Sequence, residues 1–521
     1  MSEDNKVLTG VGGDLEVSAG FREVLAYLAN GTLLVSRTKA NDPLVYSFQA
    51  RLSLKGLSYT VELVDGEMLS RTYEFGAGAD ARQNPKLKDT EMQRGAGELL
   101  QYATSIGASD VHITAKKRDG TLIQMRVQGA LEDYSKESYE YGRQLCRTFY
   151  QALSDGVATY NETIPQDARI GDPGRLPKDL DGVRIGTAPL SDGTYMVLRL
   201  LYDQAAAASL EGLGCSDEHI ASINLMKVRS SGINLICGPT GSGKSTTLQE
   251  VLSQIIDESD GEKNIITVED PVEYPIRGRK SEKYAKQQTV ANADTEEERS
   301  LMMQKAIRAA MRLDPDIIMV GETRDTPSAQ LSFRAAMTGH QLWTTVHTNS
   351  AMSAFDRLID MGIPLTLISD STLVTGIIFQ RLVRCLCDKC KIPFGEAIER
   401  SVIDRHHMAR LKDIIHIDRA FVAKPGGCPA CKNRGTTGRT IVMEIVTPDD
   451  KLMQYIKSGE RIKAIEHWRE QGGQTVIEHT IQKVNLGAID PIMAEKQVGP
   501  LTMVKILRDH TISQVEINVA V

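Results

Sequence analysis

Five mostly apolar residues, Ile233-Asn234-Leu235-Ile236-Cys237, lead straight into Gly238-Pro239-Thr240-Gly241-Ser242-Gly243-Lys244-Ser245, and a helix-prone stretch follows through Ile256. This is the G-x-x-x-x-G-K-S spacing in a strand–loop–helix setting, the P-loop pattern. The glycines let backbone N–H groups turn inward around phosphate, and the start of the helix adds a favourable dipole. Lys244 supplies a point charge for the β- and γ-phosphates, and the Ser245 hydroxyl can ligate Mg²⁺. With Thr246, residues 238–246 form the candidate ATP-binding loop.

Such a loop belongs to an open α/β sheet, in which ligands collect at the carboxyl ends of the strands. From about Leu213 to Arg381 short apolar runs alternate with helical ones, as a parallel sheet with crossover helices requires. Ile265–Val268 ends in Glu269-Asp270-Pro271-Val272-Glu273, Ile317–Val320 ends in Gly321-Glu322, and Leu342–Val346 ends in His347. These groups should therefore share one sheet edge with the loop. Asp314, Asp316 and His340 precede their strands and should lie at the opposite edge, where turn or helix-end roles suit Asp314 and Asp316. For His340 a structural role is as open as a functional one.

At 521 residues the chain is too long for one core. Residues 1–75 read as β-rich, with runs at Thr32–Ser36, Tyr46–Leu54 and Tyr59–Val64; residues 76–95 read as a linker. A mixed α/β domain spans 96–203, a second connection 204–212, and the P-loop domain 213–382. A cysteine-bearing element fills 383–440, and 441–521 reads as mostly helical with a β-prone tail at Ser513–Val521.

The 61 Lys and Arg against 68 Asp and Glu give a net charge of −7. A field of that sign does not attract nucleic acid or anionic lipid. The basic cluster Arg277, Arg279, Lys280, Lys283 and Lys286 lies in a polar stretch and reads as a solvated loop. No segment has the roughly 18 uninterrupted apolar residues of a membrane span, and the N-terminus lacks an apolar signal core. The expectation is a cytoplasmic protein.

Two Cys-x-x-Cys pairs, Cys387/Cys390 and Cys428/Cys431, are separated by residues 391–427. In a reducing compartment such pairs indicate metal rather than disulfide. Four thiolates make a closed, tetrahedral, structural Zn²⁺ site, which can order a segment with little core of its own. Cys385 lies outside this pairing.

The P-loop at Gly238–Ser245, the acidic box Thr267–Tyr274, the stretch Asp314–Asp325 and the histidine box Gly339–Asn349 resemble, in order and spacing, the secretion ATPase superfamily of type II secretion and type IV pilus assembly. Upstream, Gly107–Ile113, Gln166–Ile170, Val183-Arg184 and Val197–Arg199 extend the resemblance, which covers roughly residues 95–450. It implies a RecA-like P-loop NTPase core preceded by a PAS-like α/β domain, assembled as a homohexamer that hydrolyses ATP. Glu273 and Glu322 would serve water activation and Mg²⁺ organisation, with Glu269 and Asp270 in support and His347 as phosphate sensor. Arg169, Arg184 and Arg199 would reach the phosphates from the preceding domain; read as isolated residues, they are surface ion-pair partners.

The tetracysteine element resembles the assembly branch rather than retraction motors, and the N-terminal extension points the same way. The implied partners are an inner-membrane platform or a cytoplasmic adaptor, with peripheral membrane association through them and no direct nucleic acid. The alternatives are a retraction motor, a conjugative DNA-transfer ATPase and a non-hydrolysing scaffold. The complete set Lys244, Ser245, Glu273, Glu322 and His347 argues against the scaffold.

Overall fold

The chain divides into two units, Met1–Asp203 and Gln204–Val521. The computed structural model describes residues 7–9, 15–66, 68–69, 72–73, 85–155, 159–202, 209–290 and 295–504. The first unit opens with a three-stranded sheet of β1 (Leu25–Tyr27), β2 (Thr32–Ser36) and β3 (Thr60–Val64), in that order. Tyr46–Leu54, expected as a strand, lies instead in a helix, Pro43–Leu54. Asp42 caps it by accepting from the Leu44 N–H at 2.9 Å, and Pro43 sits in the first turn. That is a helix-start signal, and Leu44, Val45, Phe48 and Leu52 bury at helical spacing beside Leu25, Tyr27, Leu33 and Val35. Local β-propensity lost to the cap and to the sheet that needed covering.

A second expectation is also corrected. The helix Pro85–Ser105 occupies the latter part of the presumed linker, because Ala96, Leu99, Leu100 and Ala103 supply an apolar stripe for the domain that follows. The start of that linker, 76–84, lies outside the described residues.

The domain is a six-stranded antiparallel sheet of β4 (Ala108–Lys116), β5 (Gly120–Val127), β6 (Ala130–Glu137), β7 (Gln166–Ile170), β8 (Leu180–Leu190) and β9 (Gly193–Tyr202). Their order is β6-β5-β4-β9-β8-β7. Burial alternates residue by residue along β5, as a sheet with one covered face demands.

In the second unit, residues 204–208 of the expected connection lie outside the description, and its end is already structured as the short helix Leu210–Leu213, capped by Ser209. Five parallel strands follow: β10 (Gly232–Cys237), β11 (Ile265–Glu269), β12 (Lys286–Thr289), β13 (Ile317–Val320) and β14 (Gln341–Val346). β15 (Val374–Leu386) pairs parallel to β10. The two-stranded β16 (Ile392–Pro393) and β17 (Phe421–Val422) come next, and β18 (Thr436–Val446) returns antiparallel to β15.

The large sheet has the order β12-β11-β13-β14-β10-β15-β18, which puts the P-loop strand well inside it. β10, β11, β13 and β14 are buried along their whole length, as strands covered on both faces must be. The expected end of this domain at residue 382 is therefore too early. β15 runs on to Leu386, and β18 adds a last strand after the cysteine segment. Pairing between strands some 60 residues apart leaves no mark on local periodicity. Four helices complete the described chain: Asp450–Lys457, Arg461–Glu470, Val476–Asn485 and Pro491–Val498. The β-prone tail at Ser513–Val521 lies outside the described residues.

Candidate nucleotide and metal sites

β10 delivers its chain into the loop through Gly238 at φ 145°, Gly241 at φ 76° and Gly243 at φ 86°, conformations that side chains resist. At Gly238 a Cβ would also stand 2.5 Å from the Gln380 carbonyl oxygen. The helix Lys244–Glu258 starts directly after Gly243. Lys244 Nζ donates to the Gly238 and Pro239 carbonyls at 2.9 and 3.2 Å, folded back over its own loop. Burial lowers its pKa, against the pull of Glu322, Cys237 and Glu273. Thr240, Ser242, Ser245 and Thr246 complete this loop and first helical turn; Ser242 is buried and Ser245 exposed.

Because β10, β11, β13 and β14 run parallel, the groups that follow them gather at the same edge. Glu322 follows β13 in a turn pinned to β14. Thr345 Oγ1 donates to the Gly321 carbonyl at 2.7 Å, the Thr323 N–H to the Thr345 carbonyl at 3.0 Å, and the Thr323 and Thr344 hydroxyls meet at 2.8 Å. This brings His347 Nε2 to 3.0 Å from Glu322 Oε1, while Arg324 Nη2 donates to Oε2 at 2.7 Å. Burial acts to raise the Glu322 pKa, but Arg324, His347 and Lys244 outweigh it and hold it below the usual value. His347 is lowered, by burial first and by Lys244 next. The pair is thus a carboxylate beside a neutral imidazole.

The acidic box separates into two roles. Glu269 is buried and its pKa is raised by that burial. Its Oε1 accepts from Thr267 Oγ1 at 2.6 Å and from Gln287 Nε2 at 2.9 Å. Gln287 in turn donates to the Tyr274 carbonyl and accepts from the Ile276 N–H, both at 2.9 Å. Glu269 therefore organises the loop that carries Glu273, which is half-buried and close enough to interact with Lys244. Asp270 pairs with Arg299 at 3.4 Å. Gln287 and Arg299 escaped the sequence reading, and Arg324, inside the strand-end run Gly321–Asp325, was given no role there. Of the three, only Arg324, two residues from Glu322, lay where strand-end logic could have assigned one.

At the opposite edge Asp316 accepts from the Asn264 N–H at 2.6 Å, and Asn264 donates to the Leu313 and Asp314 carbonyls. Asp314 has φ 51°, a turn conformation. His340 Nδ1 lies 3.0 Å from the Ala335 carbonyl, closing the end of the helix Thr326–Met337. In the basic loop, Arg279 pairs with Glu250, and Asp257 accepts from the N–H groups of Arg279, Lys280 and Ser281. The loop is tied to its own domain rather than offered as a charged strip.

In the first unit the three candidate arginines fall in one transverse row. Arg169 on β7 stands opposite Arg184 on β8, and Arg184 opposite Arg199 on β9. The row continues to Asp110 on β4 and Arg126 on β5. Asp110 meets Arg199 at 3.1 Å and Arg126 at 3.7 Å. Like charges placed directly opposite are unfavourable, and within this row Asp110 offsets two of the four guanidiniums. Sequence reading missed Arg126, which lies 43 residues before Arg169.

The four cysteine sulfurs lie within 4.8 Å of one another. Cys387 to Cys428, Cys390 to Cys431 and Cys428 to Cys431 are each 3.8 Å, far beyond a disulfide. A tetrahedron with metal–sulfur arms of about 2.3 Å has edges of about 3.8 Å, so the cluster fits Zn²⁺. The N–H groups of Cys428 and Gly435 each donate to Cys431 Sγ at 3.1 Å, as suits a thiolate. Cys385 is outside the cluster. Among the described residues no helix is long and apolar enough to cross a membrane.

A family model described as Type II/IV secretion system protein matches residues 87–504. The Type II secretion system ATPase E of Vibrio cholerae is 33% identical over 419 residues, covering 79% of this chain and 77% of that protein. The Type II secretion system protein E of Dickeya dadantii is 33% identical over 399 residues, covering 77% and 74%. The ATPase DotB of Yersinia pseudotuberculosis shares the fold at TM-score 0.54 with 19% identity, over 80% of this chain and 94% of that one. With its P-loop strand inside a parallel sheet and its tetracysteine cluster, this chain belongs to the Type II/IV secretion system protein family.

Proposed function

We propose that this chain hydrolyses ATP as a homohexameric motor that powers assembly of a type IV pilus or type II-like protein secretion. The observation that carries the reading is the Glu322–His347 pair at the P-loop edge of the sheet, in a chain whose relative is named a secretion ATPase. Residues 238–246 would cradle the triphosphate, with Lys244 leaving the Gly238 and Pro239 carbonyls for phosphate oxygens. Mg²⁺, held through Ser245, would neutralise charge on the β- and γ-phosphate oxygens.

Glu322 and Glu273 would orient the attacking water and take its proton, and His347 would sense the γ-phosphate. Arg169, Arg184 and Arg199 would supply positive charge as it spreads over the transferring group. Zn²⁺ on Cys387, Cys390, Cys428 and Cys431 would order the segment between β15 and β18. A cytoplasmic motor docked through residues 1–75 on an inner-membrane platform or adaptor protein completes the proposal, and the tetracysteine cluster favours extension over retraction. Lys244→Ala tests it: the purified variant should retain its fold and lose nucleotide binding or turnover. Wild-type turnover in that variant would refute the site.

A further inference from the structure

We propose that Gln380 is a positioning residue that turns the Gly243 N–H outward to bind phosphate. This rests on the nucleotide reading above and adds a part to it. Gln380 lies on β15, wholly buried, yet its amide is spent on the P-loop: Nε2 donates to the Ser242 carbonyl at 2.8 Å. Around it the loop is in close contact. The Gln380 carbonyl stands 2.5 Å from where a Gly238 Cβ would be, and its Nε2 stands 3.3 Å from a Gly243 Cβ. One buried side chain and its backbone thus touch three residues of the loop.

The consequence follows from peptide geometry. Ser242 C=O and Gly243 N–H belong to one planar trans amide, so they point in opposite directions. Anchoring the carbonyl on a fully buried side chain directs the N–H away from the core. Burial agrees with this, since Ser242 is buried and Gly243 is half-exposed. Gly243 has φ 86° and is the cap from which the helix Lys244–Glu258 begins. The N–H that Gln380 orients therefore sits where the helix dipole already favours an anion. Without the amide, the glycine-flanked peptide is free to rotate, and the N–H must be reoriented each time phosphate binds.

The test compares MgADP affinity by calorimetry for the wild-type chain, Gln380→Met and Gln380→Glu. Methionine keeps the volume and removes the donor; its MgADP affinity should fall about tenfold, of the order set by one lost buried hydrogen bond. Its ligand-free melting temperature should stay within a few degrees. Glutamate should bind most weakly at the alkaline end of the pH range, where even a buried carboxyl ionises, and recover part of the affinity as pH falls, because the protonated carboxyl can donate again. A purely packing role would move neither the methionine affinity nor that pH profile. If wild type binds MgADP, and both methionine and glutamate variants match it within twofold across the pH range, the proposal is overturned. Should methionine prove too unstable to assay, the glutamate profile alone decides, a pH-independent affinity counting against the proposal. A wild-type chain with no affinity for MgADP would instead overturn the nucleotide reading, and this inference with it.

Discussion

His347 Nε2 stands 3.0 Å from Glu322 Oε1, linking the ends of two adjacent parallel strands, β13 and β14. Arg324 occupies the other carboxylate oxygen. A half-buried carboxylate is thus kept charged by a guanidinium and held in place by a ring on the neighbouring strand. Glu322→Gln keeps the volume and removes the charge. The expected outcome is unchanged MgATP affinity with turnover lowered by at least about 100-fold, the usual scale for a general base. Equal turnover in steady-state assays would remove Glu322 from the mechanism.

Arg169 tests the arginine row. It is exposed and faces Arg184 across the ladder, so Arg169→Ala relieves repulsion. Stability should change by less than about 0.5 kcal/mol, or rise slightly. ATP turnover should fall by about tenfold or more at saturating ATP. Denaturant melts and turnover measured on the same preparation separate the two effects; lost stability with full activity would contradict the anion-binding role.

A pH dependence arises from two buried rings packed at a tilt to each other. His219 and His479 lie 4.4 Å apart between centroids. Burial lowers their pKa to about 4 and about 3, with Lys483 depressing both further and Glu218 opposing at His219. Folded values below the ordinary 6.5 mean that the unfolded chain binds protons first. The stability these neutral rings contribute is present above about pH 6.5 and is lost as pH falls toward 4 and 3. Each ring should cost on the order of 1 kcal/mol per pH unit in that window. His479→Gln should flatten the fall in melting temperature between pH 7 and pH 5; an unchanged slope would show that the rings do not control it.

Metal content is checked directly. Protein purified without chelator should hold about one Zn²⁺ per chain. Cys428→Ser with Cys431→Ser should release it and make the segment Val383–Arg439 protease-sensitive. Structural zinc contributes on the order of 10–16 kcal/mol in small sites. Nucleotide binding by the isolated subunit should persist, since the loop is held by β10 and its neighbours. No metal by elemental analysis, with all four thiols freely alkylated, would dismiss the site.

The sequence by itself determined what is local. A glycine loop, a lysine and a helix start must be contiguous to work, so residues 238–246 could be read directly, as could the two cysteine pairs. Strand-end logic likewise located Glu322 and His347, because apolar runs and their exits are properties of short stretches. Tertiary structure decided what depends on distant pairing. It turned Tyr46–Leu54 into a helix by capping it at Asp42 and giving it a sheet to cover. It made β18 the last strand of the P-loop sheet, aligned Arg126 with arginines 43 or more residues away, and set Gln380 beneath Ser242. Such contacts arise from strand register and close packing, which join residues with no fixed separation along the chain.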